Sequence, residues 1–184
     1  VVMGLSACTT VQTTQSGVVG VNRQQRMSAL GVSSQEMNMA SAQGYAQEMS
    51  AAQQKGLLNR DPAMVNRVKA ISQRIIAQVG VFRPDAQTWP WEVNVISKDE
   101  PNAYCMAGGK IAVYTGLITK LNATDDELAA VIAHEIAHAL REHGREKVSP
   151  AQLQGLGLAV LGAATKNEKR VDQAGQISTL FLTL

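Results

Sequence analysis

The run His134-Glu135-Ile136-Ala137-His138 constrains this chain more than any other feature. On a helix, at about 100° per residue, the second imidazole lies roughly 40° from the first and the carboxylate roughly 60° further round. Two imidazoles and a carboxylate then share one side. That arrangement holds a divalent zinc ion through His134 and His138 and leaves Glu135 as the base beside its water. Such a helix needs a firm seat, and the flanking sequence supplies one. Thr124 and Glu127 form a capping-box pattern, with Asp125, Asp126 and Glu127 placing acid at the positive helix end. Leu128, Val131, Ile132, Ile136 and Leu140 cover much of the circumference, so a central, buried helix is expected. It should run to about His143, with Gly144 as its stop.

A catalytic zinc site uses three protein ligands and one open position. His143 is the only other histidine, nine residues after His134. It falls about 180° round the same helix and cannot join the shell unless the helix breaks. It is expected to pack or hydrogen-bond near the negative helix end. Glu168, on a following helix, is another candidate, although Lys169 and Arg170 would bring positive charge close to the metal. Glu142 and Glu146 are expected as surface charges. The residues alone leave the third ligand open.

The chain has 184 residues, 45% of them apolar, enough for one domain with a real core. A net charge of +2 and only 4% aromatic residues speak against a nucleic-acid surface. No apolar run reaches the roughly 20 residues of a membrane span. Asp61-Pro62 is a helix start, followed by Val65, Val68, Ile71, Ile75 and Val79 at helical spacing and by Gly80 as a stop. Residues 91–95 alternate as a strand does, 102–105 are extended, Gly108-Gly109 is a tight turn, and 110–114 form another strand. Residues 116–121 form a short helix. Cys105 reads as a small buried hydrophobe. Residues 24–54, rich in Gln, Ala, Met and Ser with breaks at Gly31 and Gly44, read as one or two helices wrapping the domain. Met27, Met37, Met39 and Met49 are adaptable packing there. After the metal helix, Ser149-Pro150 opens another helix through Leu153 to Ala164, and Val171, Ala174, Ile177, Phe181 and Leu184 form a last stripe. The fold class is therefore α+β, mainly helical, with a small sheet packed on the metal-holding helix.

The N-terminus has its own logic. Leu5-Ser6-Ala7-Cys8 looks like a bacterial lipobox, with residues 1–5 as the tail of a signal region and Cys8 as the lipidation site. Residues 9–23 follow as a flexible tether, and residues 24–184 form the domain. The chain begins without Met and ends on an apolar stripe, so it is expected to be a piece of a longer protein, lacking part of the domain at its C-terminal end.

The motif His134 to His143 matches H-E-x-x-H-x-x-x-x-H, and the segment Asn102 to Leu117 matches N-A-x-x-x-x-G-G-x-I-x-V-x-x-G-L. Two motifs in this order resemble the M48 zinc metalloendopeptidases, most closely their periplasmic lipoprotein branch. The resemblance covers residues 61–143 well and implies a zincin-like fold holding one zinc ion per chain. It also implies a Glu ligand on a downstream helix, for which no convincing copy occurs before Leu184. Asn102, Ala103 and Tyr104 become the sheet edge that pairs with an extended substrate. Lipobox and resemblance together imply an endopeptidase that cleaves unfolded or misassembled envelope proteins by attack of a water on zinc, activated by Glu135. It would work in the periplasm of a Gram-negative bacterium, held to the outer membrane by lipid on Cys8. The alternative is a catalytically inactive domain acting as a chaperone or adaptor.

Overall fold

A computed structural model describes residues 8–11, 13–14, 25–28 and 32–147 of the chain. The expected signal tail, the helix from Ser149, Glu168 and the Val171 stripe lie outside the described residues. At the N-terminus, β1 (Cys8–Val11) pairs antiparallel with β2 (Gln25–Ser28). The sequence predicted tether at the first of these strands and helix at the second.

Helix α1 (Ser34–Gln54) is opened by a capping box in which the Ser33 hydroxyl accepts from the Glu36 N–H and the Glu36 carboxylate accepts from the Ser33 N–H at 2.8 Å. It is one unbroken helix. Gly44 lies on its buried face with Met37, Ser41, Tyr45, Met49 and Ala52 rather than breaking it. Met37 and Met49 are core residues as expected, while Met39 is exposed.

Helix α2 (Pro62–Ile76) starts as predicted, with the Asp61 carboxylate accepting from the backbone N–H groups of Ala63 and Met64. It ends before Gly80, however, at the Ala77 cap. Gly80 sits inside the short α3 (Val79–Phe82), which a 3-10 turn (Pro84–Thr88) follows.

The sheet has three strands, β3 (Glu92–Ile96), β4 (Ala103–Met106) and β5 (Lys110–Tyr114), in the order β3-β5-β4. β3 runs parallel to β5, and β4 runs antiparallel to it. The β4–β5 turn places Gly108 and Gly109 at φ 77° and 81°, left-handed values that cost an L side chain energy. At Gly109 a Cβ would also stand 2.6 Å from the Trp91 ring.

Side chains alternate across the sheet and build two cores. Val95, Ala103, Cys105, Ile111 and Val113 face Val65, Val68 and Ile71 of α2 and the apolar residues of α5 (Asp125–Leu140). Ile96, Tyr104, Met106, Ala112 and Tyr114 face Met37, Tyr45, Met49 and Ala52 of α1. The short α4 (Thr115–Thr119) joins β5 to the approach to α5. The architecture is α+β and mainly helical, with the small sheet packed between α1 on one side and α2 with α5 on the other.

Candidate metal centre on the fifth helix

Helix α5 begins where the sequence placed it. The Glu127 carboxylate accepts from the Thr124 N–H at 2.8 Å, and the Thr124 hydroxyl accepts from the Glu127 N–H at 3.3 Å. Its buried stripe is Leu128, Ile132, Ile136, Ala139 and Leu140, pressed on the sheet. Burial is one-sided: Val131 is half-buried, and His134 and Ala137 are exposed. Beside the open face, a groove of about 940 Å³ runs between α2–α3 and α5, lined by Ile75, Phe82, Ala133 and Ala137 among others.

His134 and His138 stand one turn apart with their rings edge to face, centroids 4.5 Å apart. Their Nε2 atoms converge to 2.9 Å. Two nitrogens on a tetrahedral zinc ion, each about 2.0–2.1 Å from it, would be roughly 3.3 Å apart. The pair therefore fits one zinc ion after a shift of a few tenths of an ångström. Glu135 is half-buried and points into a small cleft that it shares with Cys105, Ala107 and His138. Burial raises its carboxyl above the usual carboxylate range, with His134 opposing. A carboxylate raised in this way is a stronger base toward water. Cys105 is buried as predicted, and burial pushes its thiol up, with the Glu135 charge adding to the effect.

The end of α5 departs from expectation. The helix stops at Leu140, not His143. Arg141 caps it, Glu142 takes a left-handed φ of 53°, and a new helix, α6 (His143–Lys147), starts at once with Gly144 inside it. Glu142 is a buried residue rather than a surface charge, 7% exposed. Its Oε1 accepts from Ser34 Oγ at 2.8 Å and pairs with Arg83 Nη1 at 2.9 Å, and its Oε2 accepts from Arg145 Nη1 at 2.6 Å. Arg83 also donates to the Leu140 carbonyl, and Arg145 donates to the Val32 carbonyl and to Ser34 Oγ. Burial alone would raise the Glu142 carboxyl. The donors Arg145 and Ser34 and the charge of Arg83 outweigh it and hold the group below the usual range. The sequence hid this cluster because its four side chains come from three separate segments.

The break brings His143 back to the site. Its Nδ1 lies 2.6 Å from His138 Nδ1, with ring centroids 4.8 Å apart. His143 thus meets the nitrogen of His138 that points away from His134. Among the described residues, no group of three His, Cys, Asp or Glu side chains is placed to hold a metal.

Asn102, Ala103 and Tyr104 lie at the start of edge strand β4. The Tyr114 N–H donates to the Asn102 carbonyl, which makes Asn102 and Tyr104 the residues bonded to β5. The backbone groups of Ala103 and Cys105 then point to the outer edge, where no strand pairs among the described residues. Asn102 Oδ1 accepts from the Ala103 N–H at 2.8 Å. The Tyr104 side chain is buried on the α1 face, opposite the metal helix, and donates to Glu48 at 2.6 Å.

Comparison with known proteins gives the family. Peptidase family M48 matches residues 62–184, two-thirds of the chain. The chain belongs to the M48 peptidase family. Its M48 domain is zincin-like, and members of the family are generally zinc-dependent. Relatives include the mitochondrial metalloendopeptidase OMA1 of Schizosaccharomyces pombe, 35% identical over 115 residues, which are 62% of this chain and 31% of that protein. OMA1 of Arabidopsis thaliana is 36% identical over 94 residues, 51% of this chain and 18% of that one. The beta-barrel assembly-enhancing protease of Yersinia pestis is 27% identical over 108 residues, 59% of this chain and 20% of its own length. The chain thus spans less than a third of these M48 relatives.

Proposed function

We propose that this chain carries the catalytic helix and substrate edge of a zinc-dependent endopeptidase. The observation that carries the reading is the 2.9 Å convergence of the His134 and His138 Nε2 atoms, with the Glu135 carboxylate on the next position of the same helix. His134 and His138 would hold one zinc ion per chain, together with a third ligand from outside the described residues. When bound, zinc acidifies water and polarises the scissile carbonyl. Glu135 takes the proton from the attacking water and returns it to the leaving amine nitrogen. Its half-buried position suits it to both halves of that transfer.

Substrate would add as a strand along β4, bonding to the outward backbone groups of Ala103 and Cys105. Asn102 would release the Ala103 N–H and turn its amide to the substrate backbone. Tyr104 contributes through the rigidity of the strand, since its side chain is buried on the far face. Main-chain pairing tolerates many sequences but requires an extended chain, so the substrates are unfolded or misassembled polypeptides. A lipid on Cys8 would hold the enzyme at the outer membrane, in the periplasm. The similarity to a bacterial protease named for β-barrel assembly supports that placement.

The test is cleavage of casein by the full-length protein with and without Glu135→Gln. The variant should keep zinc and lose about a thousandfold or more in kcat/KM, near 4 kcal/mol of barrier. Zinc binding with cleavage unaffected by Glu135→Gln sinks the mechanism. Client binding with neither zinc nor cleavage would mark a non-catalytic adaptor instead.

A further inference from the structure

We propose that His143 is a positioning residue for His138, holding the imidazole that presents its Nε2 to the metal. The proposal rests on the zinc reading above. A neutral imidazole that ligates through Nε2 must carry its proton on Nδ1. In His138 the Nε2 faces His134 and the Nδ1 faces His143. The Nδ1 proton therefore has an acceptor at 2.6 Å, the Nδ1 of His143, whose own proton then sits on Nε2. This bond selects the tautomer that ligates and fixes the plane of the ring, the task that carboxylates and carbonyls perform for many metal-bound histidines.

The fold is arranged to make this contact. On a continuous helix His143 would project to the opposite side from His134. The left-handed Glu142 turns the chain back, and Arg83 and Ser34 from two distant segments, with Arg145 from the adjoining α6, hold that turn. A non-glycine residue in this conformation is strained. The clamp offsets that strain, and what the turn delivers is the His143 ring against His138.

Zinc alone, titrated against a chromophoric chelator near neutral pH, tests the proposal on the full-length protein. His143→Phe keeps a ring but removes the acceptor, and His143→Asn restores an acceptor oxygen at the position of Nδ1. The Phe variant should bind zinc about 10–100-fold more weakly, with the Asn variant recovering to within a few-fold of wild type. With cobalt in place of zinc, the visible bands should shift in the Phe variant and not in the Asn variant. Wild-type affinity in the Phe variant overturns the proposal, as does an Asn variant no better than Phe, which would mean packing alone. If the Phe variant fails to fold, His143→Ala against His143→Asn makes the same comparison. Wild-type protein that takes up no zinc would fail the zinc reading itself, a result distinct from either of these.

Discussion

The two ends of α5 are built on opposite plans. Its start is capped locally: Thr124 and Glu127, three residues apart, satisfy each other's backbone N–H groups at the exposed surface, and Arg67 of α2 reaches this end from a distance, donating to Asp125 and to the Ala123 carbonyl. Its end is global: Glu142 is buried and held by Ser34 and Arg83, 108 and 59 residues away, as well as by the nearby Arg145. A capping box of this kind marks where a helix begins before distant contacts form. An end of this kind exists only when the whole domain is assembled. The histidines stand nearer the global end, so the ring contact between His138 and His143 depends on the assembled fold.

The largest effect expected from this contrast comes from Glu142→Ala. The change leaves Arg145 without its carboxylate and Arg83 with the carboxylate of Asp85 alone. Breaking a buried pair in this way costs about 3–5 kcal/mol. Arg83 and Arg145 are 12% and 21% exposed, so water softens the loss toward the lower end. We expect destabilisation of about 3 kcal/mol by denaturant unfolding and, with the turn relaxed, weaker zinc binding as well. Stability within 1 kcal/mol of wild type, roughly the level of a surface change, would refute the clamp.

The same carboxylate should show in the response to acid. Glu142 is held below the usual carboxylate range, so the unfolded chain binds its proton more readily than the folded one. Its stabilisation is complete above the unfolded value of about 4.3 and is lost as pH falls through the lower folded value. Between roughly pH 5 and pH 3, the stability of wild type should therefore fall more steeply than that of Glu142→Gln. Equal slopes would show that the carboxylate keeps its ordinary proton affinity.

This contrast also separates what was legible in the sequence from what was not. The Asp61 and Thr124 caps, the Gly108-Gly109 turn, the strands β3 to β5 and the buried Cys105 each follow from residues a few positions apart, whereas β1 and β2 were read as tether and helix. Both histidines of the motif fell on one side of a helix as the spacing required. The end of α5 was misplaced because nothing between Leu140 and Gly144 signals a break. A glutamate is an ordinary helix residue until Ser34 and Arg83 from distant segments join Arg145 in making a left-handed turn its best option. Gly44 and Gly80 misled in the converse way. Glycine permits a break, but here the packing keeps each one inside a helix. His143 was kept out of the metal shell on the geometry of a straight helix and expected to pack or hydrogen-bond; it does hydrogen-bond, but to His138, a partner that a straight helix would not give it.

A smaller effect is expected at the other end of α5. Thr124→Ala removes the hydroxyl that accepts from the Glu127 N–H and should cost about 1 kcal/mol. Zinc affinity should stay at the wild-type value, because the helix is still pinned along its length by Leu128, Ile132 and Ile136. A marked loss of zinc in Thr124→Ala would mean that the local start also positions the metal pair, and the division between the two ends would fail.

The smallest effect is the coupling between the ends, and it asks most of the comparison. Thr124 and Glu142 are separated by the length of the helix, roughly 24 Å for its 16 residues at 1.5 Å per residue. The cap bonds and the Glu142 clamp have no residue in common. Changes so far apart usually add within about 0.3–0.5 kcal/mol. The double variant Thr124→Ala/Glu142→Ala should therefore lose about 4 kcal/mol, the sum of the two single losses. A double variant distinctly more stable than that sum would mean that loosening one end already loosens the other. The helix would then respond as one rigid rod anchored to the sheet, and its start would be as much a property of the assembled domain as its end.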